Sequence, residues 1–103
     1  MSYKVIIQEA ARLDLLSIVD YITKSFQDPA IAEKTLKAIV HKIMDLKDMP
    51  KRNRLLTDEP YYSKGYRVTY IKNYAVFYKV DDSAEKVNIM RVLYNRREWQ
   101  DIL

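Results

Sequence analysis

The stretch "RVLYNRREW", residues 91–99, gathers Arg91, Tyr94, Arg96, Arg97 and the chain's single tryptophan. Forked guanidinium groups match phosphate oxygens better than ammonium groups do, and aromatic rings can stack on unpaired bases. Two further cationic positions join this set. "KRNR" (51–54) supplies Lys51, Arg52 and Arg54, and Arg67 opens a strand-like run. Together they describe a surface that could meet an anionic polymer. Each also has a plainer role. Cations that follow a helix favour its C-terminal dipole, so "KRNR" suits capping as well as binding. Most of the nine tyrosines fit strand packing.

Other chemistries lack their residues. With no cysteine there is no disulfide, thiolate metal site or cysteine nucleophile. One glycine cannot build a glycine-rich phosphate loop. The only histidine, His41, falls off the apolar stripe of its helix and reads as an exposed side chain. No histidine pair or carboxylate cluster has metal-ligand spacing, so no metal and no cofactor are expected. Asp81 and Asp82 fall in a turn, where aspartate bonds locally to backbone.

The net charge of +4 is unevenly placed. Residues 1–50 hold seven basic and seven acidic residues, whereas residues 51–103 hold eleven and seven. The whole excess therefore lies in the second half, which points to an anionic partner. At 103 residues the chain has room for one domain and one core. No apolar run approaches the roughly 20 residues of a membrane span. The start lacks a basic leader with a long apolar stretch, so no signal peptide is expected. Cytoplasmic location fits the absence of cysteine.

Several elements must hold the cationic and aromatic residues. "YKVII" (3–7) reads as a strand. Leu15, Ile18, Val19, Ile22 and Phe26 recur at helical spacing, giving a helix from about Glu9 to Ser25. Asp28 and Pro29 restart the helix as N-cap and first residue. Its stripe of Ala32, Leu36, Ile39, Val40, Ile43 and Leu46 runs on until Pro50 stops it. Strands follow at 66–71, 74–80 and 86–94, separated by turns at Lys72-Asn73 and Asp81–Glu85. The order is β-α-α-β-β-β. This predicts an α+β domain with a helical hairpin packed on a largely antiparallel four-stranded sheet. Apolar residues on both faces of the last strand predict a sheet covered on both sides.

These pieces, in this order, resemble the RelE/ParE superfamily of toxins from type II toxin–antitoxin systems. The marks are "DLLSIVDYI" (14–22), the proline-opened second helix ending "IMDLKDMP" (43–50), "EPYYSKGYRV" (59–68), "NYAVFYKVDD" (73–82) and "IMRVLYNRREW" (89–99). The resemblance implies first a ribosome-dependent mRNA endoribonuclease that inhibits translation without metal. The 2′-hydroxyl would attack the adjacent phosphate, which needs a base, an acid and cations for the transition state. On that reading Arg67 and Arg91 stabilise the phosphorane, and Tyr94 moves a proton or stacks on a base. Lys51, Arg52, Arg54, Arg96 and Arg97 then hold RNA. Alternation along the strand opposes this by placing Arg91 and Tyr94 on opposite faces unless a bulge intervenes. Arg91 is equally readable as a structural arginine paired with a carboxylate such as Asp14.

The superfamily also implies a non-catalytic alternative, inhibition of DNA gyrase, and a third, a non-toxic binding module of the same fold. It implies a cognate antitoxin whose segment wraps the toxin and covers the second face of the sheet. Operator DNA would be met only through the antitoxin, and no membrane is involved.

Overall fold

The computed structural model describes residues 2–57, 59 and 61–95. The elements are β1 (Lys4–Ile7), α1 (Glu9–Phe26), α2 (Pro29–Asp45), a short 3-10 turn (Pro50–Arg52), β2 (Arg67–Ile71), β3 (Tyr74–Asp81) and β4 (Lys86–Tyr94). The sheet order is β1-β4-β3-β2. β1 runs parallel to β4, and the other pairs are antiparallel. The α+β class and the β-α-α-β-β-β order are those read from the sequence.

Local chemistry sets the helix ends. α1 buries Ala11, Leu15 and Ile22 on one side, as the 3.6-residue period requires. It closes with Gln27 in the left-handed region at φ 51°. Asp28 then caps α2 by accepting the Ala30 N–H at 3.0 Å, with Pro29 at the first position. α2 ends at Asp45, earlier than the Pro50 stop predicted. Leu46 closes the helix with its N–H on the Ile43 carbonyl, and the Arg52 guanidinium folds back onto this end. Its Nη2 donates to the Asp45 and Asp48 carbonyls at 2.9 and 3.1 Å, and its Nε to the Met49 carbonyl at 3.0 Å. The Asp45 and Met49 carbonyls also accept the Asp48 and Arg52 N–H groups at 3.3 and 3.1 Å, so Arg52 adds a second donor to each and serves the Asp48 carbonyl as well.

The helices cover one face of the sheet. Leu15, Ile39, Ile43 and Leu46 pack there against Val76, Tyr78, Val87, Ile89 and Val92. The other face buries Ala75, Phe77 and Leu93 under Tyr61 and Tyr66, with Leu56, Val68 and Met90 around them. This corrects the expectation that the second face waits for an antitoxin. The chain's own segment between the 3-10 turn and β2 shields it, and Ala75 and Phe77 are fully buried. Full burial of a phenylalanine is worth about 1.5–3 kcal/mol, reason enough for the segment to fold back. Among the described residues, no helix is long and apolar enough to cross a membrane.

Candidate functional site

The predicted functional side chains fall into three separate places. The first is a cationic corner where the 3-10 turn meets the start of β2 and the β3–β4 turn. Here Arg67 Nη1 donates to the Asn53 carbonyl at 2.6 Å. Asn53 Nδ2 donates to the Tyr78 hydroxyl at 3.1 Å, and that hydroxyl donates to the Pro50 carbonyl at 2.7 Å. Tyr78 is fully buried, and burial pushes its hydroxyl above the usual phenol range. Arg67 and Tyr78 thus hold the turn against the sheet.

Lys51 pairs with Asp82, whose other oxygen accepts the Tyr3 hydroxyl at 2.8 Å. Hydrogen bonds from Lys51 and Tyr3 hold the Asp82 carboxyl below its ordinary range. Asp82 therefore does more than the local turn bonding expected of it, which falls to Asp81 through Ser83 and the Ala84 N–H. Arg52 Nη1 reaches the Asp45 carboxylate at 2.8 Å, so most of its donors serve the end of α2. Arg54 is exposed. Arg96 and Arg97 lie outside the described residues.

The second place is the edge of β4 beyond the end of β1. β1 pairs with β4 only as far as Ile7 opposite Ile89. Past that point, Asp14 of α1 takes the neighbouring strand's role and accepts the Val92 N–H at 3.0 Å. Arg91 grips the same carboxylate through Nε at 2.7 Å and Nη2 at 2.8 Å. The side chains are only 26% and 13% exposed. The hydrogen bonds that Arg91 donates to Asp14 raise its pKa above the ordinary value. Two-point guanidinium–carboxylate pairing is the strong geometry for such a pair.

The third place is a tyrosine corner at the far end of the sheet. Tyr94 meets Tyr74 edge-on, with ring centroids 5.8 Å apart and planes at 79°. Burial pushes the Tyr74 hydroxyl up, and the nearby Tyr94 and Tyr21 hydroxyls reinforce the shift. Neither Tyr21 nor Tyr74 stands out in the sequence. The first reads as an outward helical position and the second as strand packing, and only the fold brings them together.

Arg67, Arg91 and Tyr94 do not share a site. Arg67 lies opposite Tyr78 on β3, and Tyr94 opposite Tyr74. Those partners are four residues apart on one strand, about 13 Å at roughly 3.3 Å per residue. Arg91 lies opposite Phe77, whose side chain packs on the second face, whereas Tyr74 packs against the helix-side core. A register shift does occur in β4, but between Ile89 and Arg91. Alternation from Arg91 to Tyr94 is therefore unbroken, and the two point to opposite faces. His41 is exposed on α2.

This arrangement of a helical hairpin on a mixed four-stranded sheet has counterparts among known proteins. The family model described as ParE toxin of type II toxin-antitoxin system, parDE, matches residues 5–99. The chain belongs to this family, within the RelE/ParE superfamily. It is similar to the toxin–antitoxin complex RelBE2 from Mycobacterium tuberculosis at 27% sequence identity and a TM-score of 0.68, over 91% of this chain and 99% of that one. The chromosomal ParDE system from P. aeruginosa gives a TM-score of 0.74 at 19% identity, over 90% and 96% of the two chains. A double arginine-to-alanine mutant of the E. coli toxin RelE in the free state gives 0.67 at 15%, over the full length of both. The last two likenesses show the fold alone. Comparison with curated proteins finds no match.

Proposed function

We propose that this toxin arrests growth by binding DNA gyrase, without cutting messenger RNA, and that a cognate antitoxin holds it silent. The observation that carries this reading is the dispersal of Arg67, Arg91 and Tyr94. Cleavage by the 2′-hydroxyl needs cations and proton-transfer groups within hydrogen-bond reach of one phosphate. Here Arg91 is committed to Asp14, Arg67 to a backbone carbonyl, and Tyr94 faces away from Arg91. Turning Arg91 toward RNA would leave the largely buried Asp14 carboxylate without its cation, a costly exchange. A toxin that works by occupying a protein surface has no such requirement.

Antitoxin partnership is supported by the family and by the RelBE2 and ParDE systems to which the chain is similar. With a net charge of +4 on the toxin, an acidic segment fits that role. On this reading the toxin's action is cytoplasmic, where gyrase works.

The test has two arms. The full chain is added to purified gyrase in a supercoiling assay, and 5′ ends of messages are mapped within minutes of inducing it in cells. Lost supercoiling with intact messages is the expected result. New cuts inside translated codons that vanish when translation is blocked would instead establish the ribonuclease.

A further inference from the structure

The tyrosine corner holds side chains that the fold does not require. Tyr94 and Tyr21 remain 43% and 67% exposed, although each carries a large ring. Neither hydroxyl has a hydrogen-bond partner among the described residues, nor has that of Tyr74. Lysine or glutamate at position 21 would serve an exposed turn of α1 as well, and would suit the helix better. Tyr74 and Tyr94 instead meet edge to face at 79°, and Tyr21 of α1 lies near enough to act on the Tyr74 hydroxyl, so three tyrosines share one corner of the surface. Tyrosine offers rigid apolar area with a polar tip, the combination enriched where protein interfaces concentrate their binding energy. Tyr74 and Tyr94 also lie in the half of the chain that carries the whole positive excess.

Resting on the reading that this toxin acts by binding a protein, we infer that Tyr21, Tyr74 and Tyr94 form the surface that grips its target. An apolar side chain of an acidic target surface seats between the rings, and the hydroxyls donate to carboxylate or carbonyl oxygens around it. Tyr94 and Tyr21 are the anchors, and Tyr74, packed against the core, sets the angle of Tyr94. The cationic corner is a poorer candidate because Arg52, Arg67 and Lys51 are already bound to the chain's own acceptors.

The experiment compares the full chain with Tyr21→Ala, Tyr94→Ala, the double variant and Tyr62→Ala. Tyr62 is 53% exposed and stands apart from the cluster. Circular dichroism melts establish that each variant folds, and Tyr74→Phe removes one hydroxyl without a cavity. Each single alanine variant should raise the concentration giving half-inhibition of gyrase about tenfold, the factor that about 1.4 kcal/mol represents. Tyr62→Ala should leave it unchanged.

A double variant that inhibits gyrase as well as the parent chain would overturn the surface and leave the gyrase reading standing. Suppose the parent chain arrests growth, leaves gyrase untouched and cuts no message, and the double variant relieves that arrest. The gyrase reading then fails, and the surface stands for another protein target. Message cutting by the parent chain that the double variant loses would assign the rings to a nucleobase and overturn the proposal.

Discussion

Asp14 and Arg91, 77 residues apart in sequence, are joined by two hydrogen bonds, and one oxygen of the same carboxylate also takes the Val92 N–H. A single side chain thereby completes the sheet edge where β1 ends and neutralises an arginine that would otherwise face the partly buried edge uncompensated. Removing the carboxylate takes away both functions.

Asp14→Ala should therefore destabilise the chain by about 3 kcal/mol, the low end for breaking a buried pair, since Arg91 keeps some access to water. Asp14→Asn should cost less, because its side-chain oxygen still accepts the Val92 N–H. Urea unfolding of the two variants, combined with Arg91→Ala in a double-mutant cycle, measures the coupling.

Phe77 is the test of the second face. Its truncation to alanine should cost about 3–5 kcal/mol, the range for a fully buried phenylalanine. An exposed second face, open until a partner arrives, would lose well under 1 kcal/mol. Thermal or urea melts of the isolated toxin decide between these outcomes.

Arg52 separates capping from RNA binding. Arg52→Ala should lower stability by about 1–2 kcal/mol through the lost bonds to the Asp45 carboxylate and to the carbonyls just past α2, with growth arrest intact at a permissive temperature. Arg52→Lys should not restore the loss, because one ammonium cannot reach the Asp45 side chain and three carbonyls together. Loss of arrest at full stability would return Arg52 to the working surface.

Stability should fall at both ends of the pH scale, for different groups. Asp82 has its folded pKa depressed by hydrogen bonds from Lys51 and Tyr3. It stabilises the fold above the unfolded carboxylate value of about 3.9, and that contribution is lost as pH falls through the folded value. Tyr78 has its folded pKa raised by burial. Its contribution is complete below about 10 and disappears as pH rises through the folded value. Asp82→Asn should flatten the acid limb of a urea-midpoint profile, and Tyr78→Phe the alkaline limb.

Much of the fold was legible because periodicity is a local property. The stripe from Leu15 to Ile22, the Asp28-Pro29 start of α2 and the three closing strands each announce themselves within a dozen residues. The end of α2 was not legible in the same way. Pro50 marks a limit, but the helix stops at Asp45, and the capping role that "KRNR" allowed falls to Arg52, a choice among its cations that only the fold makes. The second face was misjudged for a similar reason: alternation in β4 reveals two apolar faces but not what covers them. The candidate site was hardest to read. Arginine and tyrosine types suggested one cluster, whereas strand pairing set Arg67 near Tyr78 and Tyr94 near Tyr74. Register decides which side chains meet, and it is fixed only by the whole sheet.

The placement of β4 between β1 and β3 has a consequence for how the toxin is made. The ribosome delivers β4 last, yet it is the only strand that β1 can join. β1 must therefore wait for residues 86–89 before it can pair, although α1 can already pack on α2. Such long-range pairing is slow to form, and a chain stopped before Lys86 lacks the strand that joins β1 to β3. Hydrogen exchange on a chain ending at residue 85 should find the β1 amides unprotected. A cell translating this message therefore carries, for an interval, a chain whose sheet is still in two parts.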